Sequence, residues 1–156
     1  MINSLLTTLT KAAGLKTYKI GLLQTKAYRI LNQETAKALK PFGITPIDWA
    51  LLGLLYEASQ EGLRLSQLAI ELGVEAPYIT EQSESLIKQK WITVTPTPSD
   101  KRVKLMALTD HARKKIPNIE KKLIGAMVPL LKGSGISELK GYRQILANIV
   151  NNKPSK

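Results

Sequence analysis

The sequence contains no cysteine and only one histidine, His111, among its 156 residues. The absence of cysteine excludes disulfides, thiolate nucleophiles and zinc sites with cysteine ligands. One histidine cannot by itself form a structural metal site or complete a serine–histidine–aspartate triad. We therefore expect that the protein is not an enzyme and that it has no catalytic residue, bound metal or cofactor. We expect His111 to lie at the surface.

Long apolar segments are also missing. No run approaches the roughly 18 apolar residues that a membrane span needs, and the first residues, MINSLLTTLTKAAG, lack the basic region and apolar core of a signal peptide. Apolar residues make up 44% of the chain, which is enough for one core. We expect a single cytoplasmic domain over residues 1–156 with no membrane partner.

Positive charge is in excess. Lysine and arginine number 23 against 12 acidic residues, a formal net charge of +11. Residues 114–156 hold nine basic and two acidic residues, which gives +7 for that third alone. Such a surplus favours a polyanionic partner, either nucleic acid or an anionic membrane surface. A solvated face that keeps the protein soluble is the simpler alternative.

Helical periodicity covers the first half of the chain. Apolar residues recur every three or four positions over 19–39, and Pro-Phe-Gly at 41–43 ends this amphipathic helix. Thr45 is predicted to cap a second helix, which is apolar nearly all round and should be buried. Ser66 is predicted to cap a third helix that Gly73 ends. Pro77 suits the first turn of a fourth helix, over roughly 76–89, with a buried face formed by Ile79, Ser83, Leu86 and Ile87.

A change of period follows. Residues 92–95 and 102–105 alternate apolar and polar side chains around a loop of turn-forming residues, which predicts a hairpin. Thr109 should cap a further helix, with a kink or break near Pro117 and another near Pro129. Ser137 should open the last helix. The order predicts a mainly α protein with a small β-hairpin wing: a winged helix-turn-helix flanked by N- and C-terminal helices.

Three residues fit the crossing of the two motif helices. Ala69 is small enough for the crossing, Gly73 permits the turn, and Ile79 can close the small core between the helices. The fourth helix would then be free to enter a major groove. Lys101 and Arg102 at the tip of the hairpin suit a narrow minor groove, and the carboxylate of Asp100 can accept from the Arg102 guanidinium.

Residues 63–114, from LRLSQLAIELG through TPSDKRVKLMALTDHARK, resemble the core of the MarR family of bacterial transcription regulators. The Asp100-Lys101-Arg102 wing, followed by a strand and a helix start at Thr109, is similar to that family's most characteristic motif. The resemblance is strong over 44–115. It implies a two-fold homodimer on a pseudo-palindromic double-stranded DNA operator, a repressor released by a small aromatic ligand. It also implies dimerisation helices in 1–40 and 110–156, and a core over 44–108 whose wing spans about 92–108.

The same resemblance implies roles for individual residues. Arg102 would enter the minor groove, oriented by Asp100. The expected DNA-binding residues are Ser66, Pro77, Tyr78, Thr80, Glu81, Glu84, Lys88, Lys90, Asp100, Lys101, Arg102 and Lys104. The expected lining of a ligand crevice is Tyr18, Tyr28, Trp49 and Tyr56, for which ordinary core packing is the alternative.

Four positions depart from the family pattern. Members usually carry arginine where Glu81 stands, an apolar residue where Gln82 stands, and glycine at the positions of Lys90 and Ala112. Carboxylates on the fourth helix oppose DNA electrostatically, although glutamate can accept a hydrogen bond from cytosine N4. A winged-helix protein–protein adaptor with weak or no DNA binding therefore stays open as the alternative function.

Overall fold

The computed structural model describes residues 7–8, 14, 16–58, 60–97 and 99–153. The main helices are α1 (Thr17–Leu39), α2 (Pro46–Glu57), α3 (Leu65–Leu72), α4 (Ala76–Lys88), α5 (Asp110–Met127) and α6 (Ile136–Asn151). The strands are β1 (Leu63–Arg64), β2 (Ile92–Pro96) and β3 (Lys104–Leu108). This helix-rich chain with one small antiparallel sheet confirms the predicted fold class.

Several helix ends lie where their sequence signals predict them. The Thr45 backbone N–H donates to Asp48 Oδ2 over 2.8 Å, and Thr45 Oγ1 accepts from the Asp48 N–H, which closes a capping box at the start of α2. Gly73 ends α3 with a left-handed φ of 66°. Thr109 Oγ1 accepts from the Ala112 N–H over 3.1 Å and caps α5.

Two predicted caps are wrong by one or two residues. The N-cap of α3 is Arg64, whose N–H donates to Gln67 Oε1 over 3.0 Å, so Ser66 lies inside the first turn. The long glutamine side chain reaches back to the free N–H, so the serine hydroxyl does not cap this helix. Ser137 also lies inside a first turn, because α6 begins at Ile136 after Gly135.

The two prolines near the C-terminal side of the chain have different effects. Helix α5 continues through Pro117, so the break predicted there is absent. Ile116 and Ile119 on either side of Pro117 are buried, and their packing holds the helix where one backbone hydrogen bond is lost. At Pro129 the prediction is confirmed, because α5 ends at Met127 and a 3-10 turn, Val128–Leu131, follows.

The sheet has a third strand that periodicity did not predict. Strand order is β1-β3-β2, all antiparallel, with Leu63 opposite Met106 and Ile92 opposite Leu108. Gly62, which precedes β1, has a φ of 85°, and a Cβ built there would lie 2.1 Å from the Met106 carbonyl oxygen. Only glycine therefore permits the close approach that starts β1.

The core joins α2 to the helix-turn-helix and the sheet. Its fully buried members include Leu39, Leu51, Leu52, Leu55, Leu68, Ile79, Leu86, Met106 and Ile119. Helix α2 is central but not buried all round, because Ala50 and Tyr56 are exposed. Ile87, predicted on the buried face of α4, is 43% exposed. It lies one position past Leu86, which takes the inward direction in that turn.

Helices α1 and α6 keep their apolar faces exposed in the single chain. Helix α1 packs along α5, yet Leu23, Tyr28 and Ile30 remain more than half exposed. Helix α6 has no buried residue, and Ile145 and Ile149 are each 59% exposed. The apolar stripes that periodicity predicts are present, but the chain's own core does not cover them.

Candidate nucleic-acid interface

The α3–α4 unit has the arrangement that its sequence predicts. Ala69 and Ile79 are buried at the crossing of the two helices. The Val74 N–H donates to the Ala69 carbonyl over 3.0 Å, which fixes the direction in which the chain leaves Gly73. All of the predicted contacts on α4 are exposed: Pro77, Tyr78, Thr80, Glu81, Glu84 and Lys88. The unit therefore presents one face of α4 to a partner.

The exposed face of α4 carries negative charge near its centre. Glu81 and Glu84 lie one turn apart, and within the described residues neither carboxylate has a hydrogen bond or ion pair. The Thr80 hydroxyl donates to the Ala76 carbonyl over 3.3 Å. Lys88 is the basic residue of the last turn. The centre of this face thus offers acceptors, with a cation at the end of the helix.

The tip of the wing is organised by Thr97, a residue that sequence reasoning missed. Thr97 Oγ1 donates to the Asp100 carbonyl over 2.7 Å and accepts from the Asp100 N–H over 3.2 Å. The Thr97 N–H donates to the Val103 carbonyl over 2.8 Å. Thr97 is only 8% exposed. A buried hydroxyl therefore closes the loop, and a threonine three residues before an aspartate in a turn-rich segment was the available signal.

Asp100 positions Arg102 differently from the prediction. Its Oδ1 accepts from the backbone N–H of Arg102 over 2.9 Å, and it forms no ion pair with the guanidinium. A carboxylate that accepts from the N–H two residues on is an Asx turn. Asp100 therefore shapes the backbone of the tip and leaves the Arg102 side chain free.

The predicted cations of this region are exposed and not neutralised. Lys90, Lys101, Arg102 and Lys104 all face solvent. In the part of the chain that the structure describes, Lys37 forms an ion pair with Glu34, and no other ion pair is present. These cations are therefore available to an anionic partner.

Lys90 connects α4 to the wing with a backbone that lysine rarely adopts. Its φ is 61°, in the left-handed region, where a non-glycine residue is strained. Thr109 closes the same junction, since its Oγ1 donates to the Lys90 carbonyl over 2.7 Å and its N–H donates to the Trp91 carbonyl over 3.1 Å. The hydroxyl that caps α5 therefore also ties the base of the wing to α4.

The four predicted crevice aromatics do not come together. Trp49 and Tyr56 line a groove of about 740 Å³ between α2, α3 and α5, whereas Tyr18 and Tyr28 are exposed on α1 and lie outside it. Glu57, Glu71 and Glu120 also line this groove. Its walls are thus apolar and aromatic, with carboxylates at the margin.

Two kinds of site are absent from the described residues, a metal site and a membrane-spanning helix. They contain no group of three or more histidine, cysteine or carboxylate side chains arranged to hold a metal ion. None of their helices combines the length and the hydropathy required to cross a bilayer. His111 is exposed in the first turn of α5.

Comparison with known proteins agrees with this geometry. Residues 44–104, from the start of α2 to the wing, match the model of the MarR family. The winged-helix core is therefore similar to a MarR-family domain. A MarR-family transcriptional regulator from Rhodococcus sp. RHA1 superposes with a TM-score of 0.78 at 22% identity, covering 86% of this chain and 94% of that one.

Two further solved structures have the same fold. CouR from Rhodococcus jostii RHA1, bound to p-coumaroyl-CoA, has a TM-score of 0.77 at 23% identity over 88% of this chain and 95% of its own. MepR from S. aureus, in complex with DNA, has a TM-score of 0.74 at 22% identity over 88% of this chain and 98% of its own. The first of these structures is that of a MarR-family transcriptional regulator, and CouR is also described, bound to a DNA duplex, as a transcriptional repressor.

Proposed function

We propose that this protein is a transcription regulator of the MarR type, which binds double-stranded DNA sequence-specifically and acts in the cytoplasm. The observation that carries the proposal is the pairing of an exposed α4 with a cationic wing tip in one domain. A helix of this size fits a major groove, and an arginine on a wing suits the flanking minor groove. The structure of MepR in complex with DNA supports DNA binding on this fold.

We propose that the contacts are the residues expected from the sequence, with one change of role. Arg102 and Lys101 serve the minor groove, and Pro77, Tyr78, Thr80, Glu81 and Glu84 serve the major groove. Ser66, Lys88, Lys90 and Lys104 contact the phosphates. Asp100 acts through the backbone of the tip, as its Asx turn indicates.

A homodimer is part of the proposal. Helices α1 and α6 each expose several large apolar side chains on one face, a pattern that is typical of protein–protein interfaces. Covering them with the same faces of a second copy gives a two-fold scaffold, with 1–40 and 110–156 as dimerisation regions. Two wings and two α4 helices related by that axis would bind a pseudo-palindromic operator, with half-sites about one helical turn apart.

A titration of the purified protein against duplex DNA at two salt concentrations tests the DNA-binding function. We expect binding to weaken steeply with salt, because each neutralised phosphate releases a bound cation. DNA flanking the protein's own gene is the first probe. If no duplex is retained at moderate salt, the adaptor function is favoured instead, with a protein partner on the Glu81 and Glu84 face.

The Arg102→Ala variant tests the wing. A specific groove contact should make its loss cost about 1–3 kcal/mol in affinity. Lys121→Ala removes one positive charge from an exposed position of α5, away from the wing, and should change affinity by less than about twofold. Equal affinities of Arg102→Ala and wild-type protein for the operator would contradict the assignment.

We further propose that the protein is a repressor released by a small aromatic compound bound between α2, α3 and α5. Trp49 and Tyr56 supply the aromatic walls. Because Glu57, Glu71 and Glu120 are carboxylates, the groove favours neutral or cationic aromatic compounds over anionic ones. CouR with bound p-coumaroyl-CoA supports ligand binding on this fold.

A panel of aromatic compounds matched in size and differing in charge tests the ligand. Cationic members should raise the melting temperature and release DNA, whereas Glu120→Gln should reduce their advantage over anionic members. If anionic members bind as tightly as cationic ones, the groove is not the ligand site that we propose.

A further inference from the structure

Helix α4 presents hydrogen-bond acceptors where a DNA-reading helix meets the bases. Glu81 is the sixth of its 13 residues, in the half that reaches base edges in helix-turn-helix proteins. An ionised carboxylate can only accept hydrogen bonds. The neighbouring Thr80 hydroxyl already donates to the Ala76 carbonyl. A partner for this part of α4 must therefore supply donors.

We propose that Glu81 reads a cytosine in the major groove of each half-site, an inference that rests on the proposed DNA-binding function. The major groove exposes two kinds of donor, the N4 amino group of cytosine and the N6 amino group of adenine. Adenine also exposes the acceptor N7 beside its amino group, which suits an amide and repels a carboxylate. Cytosine lacks that second acceptor, so its amino group is the better partner of Glu81.

Glu84 extends the same pattern by one base pair. Three residues of α-helix rise about 4.5 Å, and successive base pairs are about 3.4 Å apart. Glu81 and Glu84 lie on the same exposed face of α4. Two carboxylates at this spacing face neighbouring base pairs, and amino groups at both positions satisfy both of them.

The carboxylates also act against the wrong DNA. At a site without a matching amino group, Glu81 meets base acceptors and nearby phosphates with no donor to compensate. Discrimination then comes from repulsion at incorrect sites as well as attraction at the correct one. Replacing Glu81 with glutamine should therefore tighten binding to unrelated duplex while it reduces the preference for cytosine.

The experiment begins with selection of binding sites from a randomised duplex library by the wild-type dimer. In the selected site, the cytosine assigned to Glu81 is replaced by 2-pyrimidinone, which lacks only the 4-amino group. We expect wild-type affinity to fall about 5- to 150-fold, the range for loss of a good base contact. For Glu81→Gln, the same replacement in the DNA should reduce the binding free energy by less than half of the wild-type reduction. Inosine opposite the same cytosine also removes one base-pair hydrogen bond but keeps the 4-amino group in the major groove, so it should leave both affinities nearly unchanged.

One control variant and three outcomes separate the possible failures. Glu61→Gln removes an equal charge from an exposed turn before β1 and should keep the wild-type base preference. If wild-type protein binds a selected site that lacks cytosine, or if Glu81→Gln loses as much as wild type on the 2-pyrimidinone duplex, the reading of cytosine by Glu81 is overturned while DNA binding stands. If Glu84→Gln is the only variant whose affinity is unaffected by 2-pyrimidinone, Glu84 and not Glu81 contacts this cytosine. Failure to select any duplex overturns the proposed function itself.

Discussion

Replacement of Thr97 by valine isolates the role of one hydroxyl in the wing. The two side chains have nearly the same shape, so the change removes hydrogen bonds and leaves charge and volume almost unaltered. Thr97 Oγ1 takes part in two hydrogen bonds with the backbone of Asp100, and the residue is 8% exposed. After substitution the Asp100 carbonyl still accepts from the Val103 N–H over 3.0 Å, but the Asp100 N–H loses its acceptor.

The magnitude follows from those bonds. A typical intramolecular hydrogen bond contributes about 1 kcal/mol net, and an unsatisfied buried donor costs about 1–3 kcal/mol. Since the Asp100 N–H lies near the exposed tip and water can reach it, we expect the free energy of unfolding to fall by about 1–2 kcal/mol. For a chain of this length that corresponds to a decrease of roughly 2–8 °C in melting temperature.

Urea denaturation gives the change in free energy of unfolding, and amide hydrogen exchange at Asp100 and Val103 reports the order of the tip. Thr95→Val is the matched control, because Thr95 lies exposed on β2 and its hydroxyl forms no hydrogen bond with any residue that the structure describes. DNA affinity should fall for Thr97→Val and not for Thr95→Val. Equal stability of the two variants, with unchanged exchange at the tip, would refute the role given to the Thr97 hydroxyl.

Two further substitutions test the junction and the dimer. Lys90→Gly should raise the free energy of unfolding by up to about 1 kcal/mol. A left-handed backbone costs a non-glycine residue about 1–2 kcal/mol, and the greater entropy that glycine loses on folding offsets part of the gain. The same variant should bind DNA more weakly and with a smaller salt dependence, and a decrease in its stability would contradict the backbone strain at Lys90. Ile145→Asp should weaken dimerisation by 100-fold or more, because about 1.5–3 kcal/mol of side-chain burial is lost twice in a two-fold interface. Gln144→Asp, off the apolar stripe of α6, should leave the dimer intact in sedimentation analysis, and equal dissociation of both variants would argue against this interface.

Local signals predicted the elements well where one side chain sets the backbone. Thr45 and Thr109 cap helices because a short hydroxyl reaches the free N–H groups of the first turn. Gly73 ends α3 because it can adopt a positive φ. In each case the deciding interaction lies within a few residues of sequence, so the pattern alone carries it.

Other features depend on groups far apart in sequence. Strand β1 is two residues long, too short to show alternation, and exists because β3 pairs with it. The continuity of α5 at Pro117 depends on burial of its isoleucine neighbours. The separation of Tyr18 and Tyr28 from the groove at Trp49 follows from the path of α1. Periodicity showed that α1 and α6 have apolar faces, but it carries no information about what covers them.

The two-residue strand β1 has a mechanical consequence. It pairs with β3 of the wing, and α3 begins directly after it at Leu65. We therefore expect a displacement of the hairpin to reach the first turn of α3 through the β1 hydrogen bonds, and α4 through the turn at Gly73. The wing and α4 would then move together, so a ligand that displaces either of them would move both away from the DNA duplex.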